Sequence, residues 1–258
     1  MGEAITLIWK VSVLAELAVA IRLLLQGLGG EYPALLTACI VLPMKSLLLM
    51  ASLQSFAYKD QARLVARNLN PVEWIVSALV VFELFARWTG SYEGIGRFGK
   101  YLLAGLLTGA SVISLAFLHA EWQVLDFASG SQAGYIIDRV VWGILAVFVI
   151  GTWVFFRNYP VAISPNVLRH TQISMIYFAV GALSLLIFTL NGRHVAQEIN
   201  LAIVMSTCGC FCAWAILLTR RGEVAPPVQV VSQIDRDRIE KLNQELLGFM
   251  GDLPKNGR

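Results

Sequence analysis

Long apolar runs separated by short polar segments make up most of the chain. A run of about 18 or more apolar residues is typical of a helix that crosses a bilayer, and a helix satisfies its own backbone groups where water is absent. The pattern therefore predicts an all-α integral membrane protein, a seven-transmembrane-helix bundle. The predicted spans are Ile5–Leu25, Tyr32–Leu53, Val72–Trp88, Tyr101–Leu118, Tyr135–Phe156, Ile173–Leu190 and Ile199–Leu218.

The chain divides into a bundle and a polar tail. The bundle is predicted to occupy residues 1–221, and the two prolines of "GEVAPPVQV" predict an extended linker over 222–231. Residues 232–258 are predicted to form a cytoplasmic amphipathic helix and tail, with an apolar stripe that runs from Ile239 to Leu253. Two interpretations remain open. In the first, this helix lies on the membrane or on the bundle. In the second, residues 232–253 mediate self-association or bind a protein partner.

Composition and charge agree with a membrane protein. The chain is 57% apolar and 14% charged, whereas a soluble domain averages about 45–50% and about 25%. The net charge of +3 argues against a nucleic-acid protein, which would carry a concentrated basic face. Basic residues are more numerous in alternate loops, which predicts an outer N-terminus and a cytoplasmic C-terminus. The predicted inner basic residues are Arg22, Arg87, Arg97, Lys100, Arg157, Arg169, Arg220 and Arg221.

Motifs for catalysis or metal binding are not recognised, so no enzyme activity, cofactor or metal is predicted. "CGCFC" is no metal motif, because on a helix Cys210 points about 200° away from Cys208. "GIGRFG" follows a membrane helix instead of a strand, so it is no dinucleotide fingerprint. It is either a flexible interfacial loop or a place where Arg97 and Lys100 contact a lipid-headgroup phosphate.

The chemically most informative residue is Glu16, an acid in the middle of the first span. A charge at the bilayer centre costs about 2.5–3.5 kcal/mol on insertion scales, so Glu16 should find a partner inside the bundle. Lys45 lies at a similar predicted depth on the second span, beside the predicted helix kink at Pro43. We therefore predict a buried Glu16–Lys45 ion pair, with Glu83 as a second buried acid. The pair either fixes helix register, relays protons or ions, or lines a ligand-sensing pocket.

Three stretches carry a resemblance to known proteins: "GEYPALLTACIV", "EWIVSALVVFELF" and "RHTQISMIYFAVGALSLLIF". They resemble a broad group of uncharacterised bacterial seven-pass membrane proteins, which implies a bacterial plasma (inner) membrane location and no particular activity. The layout also resembles seven-span sensor modules that precede signalling domains, although no kinase or cyclase domain follows in this chain.

Two functions follow as expectations. The first is a receptor-like or regulatory membrane scaffold that acts through a partner. The alternative is a small transporter or a proton or ion pathway that uses buried Glu16, Lys45 and Glu83. An intramembrane enzyme acting on lipid ranks last, because no catalytic constellation supports it. The expected partner is the lipid bilayer, and nucleic-acid binding is not expected.

Overall fold

The structure, a computed structural model, describes residues 2–54, 59–89, 131–157 and 163–224, together with the single positions 101, 104, 105, 108, 237, 240, 241, 244 and 245. These residues contain α-helices and short 3-10 turns, and no strand is found among them. The six helices with defined bounds are α1 (Gly2–Leu25), α2 (Pro33–Gln54), α3 (Lys59–Thr89), α4 (Ser131–Arg157), α5 (Pro165–Asn191) and α6 (Ala196–Leu217), with 3-10 turns at Gly192–Val195 and Arg220–Glu223.

The prediction of an all-α fold is confirmed for the described residues, and the helices fit the predicted membrane protein. Five helices, α2 to α6, are long and apolar enough to cross a membrane. Helix α1 is not among the five, and it carries Lys10, Glu16 and Arg22 within its apolar sequence. The predicted span Tyr101–Leu118 lies outside the described residues apart from four helical positions, so the described ranges establish six helices and not the predicted seven.

Two helices begin before the predicted spans. Helix α3 begins at Lys59 and continues through Pro71, although the part of it that is apolar enough to cross a membrane starts at Leu69, close to the predicted span start at Val72. Helix α5 begins at Pro165 instead of Ile173. In both cases the missed part of the helix is polar, so it does not stand out as part of an apolar run.

The helices form a closed ring in chain order. Helix α1 packs between α2 and α6, α2 packs against α3, α3 against α4, α4 against α5, and α5 against α6. Helix α3 also contacts α5 across the ring. The first and the last described helices are therefore neighbours.

Contacts between side chains give the direction of each helix. Trp74, near the start of the apolar part of α3, bonds to Asp138 near the start of α4. At the other extremity Trp88 of α3, Thr152 of α4 and Thr171 of α5 lie together, and Trp88 Nε1 donates to Thr171 Oγ1 at 2.9 Å. Helices α3 and α4 therefore run in the same direction. We call the two extremities of the bundle the Arg87 end, where α1, α3, α4 and α6 finish, and the Lys45 end.

Aromatic and small residues fill the core. Trp142 of α4 packs on Tyr177 of α5 with 4.9 Å between ring centroids. A side chain at Gly181 would overlap the ring of Trp142, so the glycine permits the close approach of α4 to α5. Gly27 turns the chain after α1 with φ +69°, a conformation that L side chains rarely adopt.

Candidate functional site

A polar cluster at the Arg87 end holds the segment that follows α6. In the 3-10 turn after this helix, Gly222 N donates to Thr219 Oγ1 at 3.3 Å. The turn carries Glu223 back against the bundle, where Glu223 Oε1 accepts hydrogen bonds from Tyr32 Oη and from Asn166 Nδ2, both at 2.6 Å. The other carboxylate oxygen lies 3.8 Å from Arg87 Nη1. We call Tyr32, Arg87, Asn166, Thr219 and Glu223 the Glu223 cluster.

Asn166 is the central hydrogen-bonding residue of the Glu223 cluster. It is 0% exposed. Its Nδ2 also donates to the carbonyl of Thr219 at 2.7 Å, and its Oδ1 accepts from Thr219 N at 3.2 Å. A side chain at Gly222 would overlap the Asn166 amide, so the glycine lets the turn approach it. Asn166 thus fixes the backbone after α6 and the Glu223 side chain together.

Arg87 and Tyr32 complete the Glu223 cluster from α3 and from the start of α2. Arg87 Nη2 bonds to the Glu31 carboxylate at 2.5 Å and to the Glu31 carbonyl. Its guanidinium carbon lies 4.9 Å from the centroid of the Tyr32 ring, a cation–π contact. Tyr32 precedes the span that begins at Pro33. Burial, followed by its bond to Glu223, raises the pKa of Tyr32, so the phenol stays protonated and donates.

An aromatic column joins the Glu223 cluster to the centre of the bundle. The fully buried His170 ring lies between Tyr32, at 5.6 Å between centroids, and Trp214, at 5.5 Å. Trp214 in turn packs on Tyr177 at 6.0 Å. Beside Trp214 and Tyr177 is a cavity of about 20 Å³, room for about one water. Through these rigid rings, the interior of the bundle is in contact with the Glu223 cluster and so with the segment after α6.

Glu83 acts as a cap for a neighbouring helix. Its two carboxylate oxygens accept from Ala34 N at 2.6 Å and from Leu35 N at 3.4 Å. The first amides of a helix have no partner within the helix, and the N-terminal end of its dipole favours a negative charge. Glu83, half-buried on α3, therefore stabilises the start of α2.

Glu16 is buried without the predicted partner. It is 4% exposed, one of its oxygens accepts from Ser12 Oγ at 3.4 Å, and the other has no hydrogen-bond partner among the described residues. The predicted Glu16–Lys45 ion pair is wrong, because Lys45 turns to α3.

Lys45 belongs to a second polar cluster, at the Lys45 end. Its Nζ donates to Asn70 Oδ1 at 2.8 Å and pairs with the Glu73 carboxylate. Asn70 Nδ2 reaches Asp138 at 3.3 Å, and Trp74 Nε1 donates to Asp138 at 2.8 Å. The cluster ties α2, α3 and α4 together.

Other predicted features are placed only in part. Pro43 is buried inside α2, and the helix continues through it to Gln54, so a kink there stays a prediction. Arg97 and Lys100 lie outside the described residues. Gly222 and Glu223, assigned by sequence to the linker, pack against the bundle, while five positions between 237 and 245 are helical.

Sequence reasoning missed the residues that form the Glu223 cluster. Asn166, Glu223 and Tyr32 come from segments far apart in the chain, and each looked like an ordinary residue at the end of a span. Glu73 gave a weak signal, because it is a carboxylate at the start of the third predicted span, next in the chain after the span that carries Lys45. Glu16 gave the stronger signal, because it lies in the middle of an apolar run.

Among the residues that the structure describes, no group of three or more histidine, cysteine or acidic side chains is arranged to hold a metal ion. The cysteines of "CGCFC" are free thiols, and Cys210 Sγ lies 3.9 Å from the Ile173 carbonyl. No family model, curated protein or solved structure matches the chain. The membrane-like helices and the geometry of the two clusters are therefore the basis for assigning a function.

Proposed function

We propose that the chain is a receptor-like regulatory scaffold in a bacterial inner membrane, and that it acts through a partner bound at its C-terminal tail. The observation that carries the proposal is the Glu223 cluster. Glu223 is the second residue of the predicted linker, and it accepts hydrogen bonds from Tyr32 and Asn166 and forms an ion pair with Arg87. A change in the packing of α2, α3 or α5 therefore changes how the base of the tail is held.

The proposal includes seven spans. Helix α3 finishes at the Arg87 end and α4 begins at the Lys45 end, so the proposal requires a return across the bundle between Thr89 and Ser131. That return is about 30 Å if the bundle crosses a bilayer, and an apolar segment at 101–118 would provide it. The helical positions 101, 104, 105 and 108 support a helix there.

The proposed orientation has the N-terminus outside and the C-terminus in the cytoplasm. Arginines collect at the Arg87 end, a distribution typical of a cytoplasmic face. Ser91→Cys and Ser129→Cys, each in a cysteine-free background, test both orientation and span number. An impermeant thiol reagent is expected to label position 129 from outside and position 91 only after the cells are opened. Labelling of both from one side would contradict seven spans.

Partner binding tests the scaffold itself. A photo-crosslinking residue at Lys241, an exposed helical position in the tail, is expected to capture one reproducible protein in native membranes. Glu223→Gln should reduce that capture, because the neutral amide loses its attraction to Arg87. Glu198→Gln is the matched control, since Glu198 is exposed in the first turn of α6. Equal capture by both variants would refute the role of the Glu223 cluster. Binding through the tail is tested with the crosslinking residue moved to the bundle: if a chain lacking residues 232–258 then captures as much partner as the full-length chain, binding through the tail is refuted.

A proton or ion pathway is the second candidate, and buried Glu16 favours it. An intramembrane carboxylate is expensive to bury, and such residues commonly serve a function. The pathway predicts that Glu16→Gln abolishes flux in proteoliposomes while Glu198→Gln keeps it. Wild-type vesicles that carry neither protons nor common monovalent ions would eliminate this candidate.

A further inference from the structure

Two arginines from different helices flank the last turn of α6. Arg22 of α1 donates from Nη2 to the Ile216 carbonyl at 3.3 Å, and Arg169 of α5 donates from Nη1 to the Leu217 carbonyl at 2.9 Å. Carbonyl oxygens of consecutive helical residues lie about 3.5 Å apart. The bonded guanidinium nitrogens are therefore within about 10 Å of each other, and each is held in place by a backbone bond.

Positive charge at this place is not neutralised by the described part of the protein. Arg220 and Arg221 are exposed in the turn after α6. Arg87 pairs with Glu31 and Glu223, but no carboxylate among the described residues pairs with Arg22, Arg169, Arg220 or Arg221. The guanidinium groups also keep donors to spare, since each has five N–H bonds. Arg22 Nε is buried and has no partner among the described residues.

The arginines lie beside apolar surface at the depth of a lipid headgroup. Arg22 is within one turn of the end of α1, and Arg169 is just over one turn from the start of α5, so both project near the proposed membrane boundary. Exposed apolar side chains surround them: Ile21, Leu25, Leu168, Ile216 and Leu217. Fixed guanidinium donors next to an exposed apolar wall suit a molecule with a phosphate and acyl chains.

We propose that Arg22 and Arg169, assisted by Arg220 and Arg221, bind the phosphate of an anionic phospholipid at the Arg87 end. Arginine forks match phosphate geometry, and anionic lipids attract basic residues next to a span. The bound lipid would touch α1, α5 and the end of α6 at once. It would therefore lie at the outer side of the turn whose inner side is held by the Glu223 cluster.

The test uses the full-length purified chain in nanodiscs of phosphatidylcholine with and without phosphatidylglycerol. Lipids that remain bound after release into detergent are counted by native mass spectrometry. Wild type is expected to retain phosphatidylglycerol in preference to phosphatidylcholine. Arg22→Gln combined with Arg169→Gln should lower the retained phosphatidylglycerol about tenfold. Lys10→Gln is the matched control, since it removes one exposed cation from the opposite half of α1. Equal retention by the double variant and the control would overturn the proposal.

Three further arms separate the alternatives. Inorganic phosphate is expected to leave phosphatidylglycerol bound, and full competition would replace the lipid proposal with a free-phosphate site. A chain lacking residues 232–258 should keep its lipid, and loss of selectivity on truncation would place binding in the tail. Circular dichroism tests whether the double variant folds. If it does not, the single variants Arg22→Gln and Arg169→Gln are compared with wild type in the same assay, and wild-type retention of phosphatidylglycerol by both folded single variants would also overturn the proposal.

Discussion

Replacement of Asn166 by alanine should destabilise the protein more than its small side-chain volume suggests. The change removes three hydrogen bonds, two to the backbone of Thr219 at 2.7 and 3.2 Å and one to Glu223 at 2.6 Å. A neutral hydrogen bond contributes about 0.5–1.5 kcal/mol net, and one to a charged group about 1.5–3 kcal/mol. Because Asn166 is fully buried, we expect a loss of about 2.5–6 kcal/mol in the free energy of unfolding.

Asn166→Asp separates hydrogen bonding from volume. Aspartate has nearly the same size, but its carboxylate cannot donate to Glu223 and repels it, so this variant should lose at least as much stability as Asn166→Ala. Asn191→Ala is the matched control, because Asn191 is exposed at the end of α5 and, among the described residues, its side chain bonds only to the Ile187 carbonyl, at 3.0 Å. The control should stay within about 0.5 kcal/mol of wild type.

Two assays measure the effect at different scales. Denaturant unfolding in detergent gives the free-energy difference, and hydrogen exchange of the amides of residues 219–224 reports the local consequence. In Asn166→Ala these amides should exchange faster while those in the middle of α2 keep their protection. Equal stability of the Asn166→Ala and Asn191→Ala proteins, or unchanged exchange over 219–224, would refute the reasoning that Asn166 holds this segment.

Two further perturbations test the packing and the second polar cluster. Gly181→Ala should destabilise the protein by about 1–3 kcal/mol, because the new methyl group overlaps Trp142. Gly143→Ala is the control: a Cβ there meets no atom within 4 Å, so this change should be neutral or should stabilise by up to about 1 kcal/mol. Thermal unfolding in detergent compares the two variants, and equal effects would contradict the close approach of α4 to α5 at Gly181. Lys45→Met should lower the free energy of unfolding by about 1–3 kcal/mol, because it leaves the Glu73 carboxylate unpaired at 19% side-chain exposure. The double variant Lys45→Met with Glu73→Leu should recover most of that loss. A double variant no more stable than Lys45→Met would count against the ion pair.

The helices were predictable where their side chains face lipid or an apolar neighbour. Hydropathy detects such segments, and it failed where polar side chains point into the bundle. At the start of α5, Asn166, His170 and Thr171 are buried by packing and hydrogen bonds, yet in sequence they resemble a loop. The charged first half of α3 was missed for a related reason, since Lys59, Arg63 and Arg67 interrupt the apolar pattern.

The partners of buried charges were less predictable than their depth. Residue counting places Glu16 and Lys45 at similar depths along neighbouring helices, but it does not say which way each side chain turns about its helix axis. Helix α3 supplies Glu73 to Lys45 and leaves Glu16 with Ser12. The Glu223 cluster depends on contacts among four distant segments, and the nearby prolines indicated only an extended linker. Such a cluster follows from tertiary packing and not from any local pattern.

The packing of α1 between α2 and α6 has a consequence for biogenesis. A chain enters the membrane from its N-terminus, so the helix that contains Glu16 is synthesised first, but one of its two neighbours is synthesised last. Until α6 emerges from the ribosome, one flank of α1 faces whatever surrounds the nascent chain. Helix α1, which carries Lys10, Glu16 and Arg22, therefore waits longest for its second neighbour, and a ribosome stalled before residue 196 would hold an intermediate in which this flank is open to the insertion machinery.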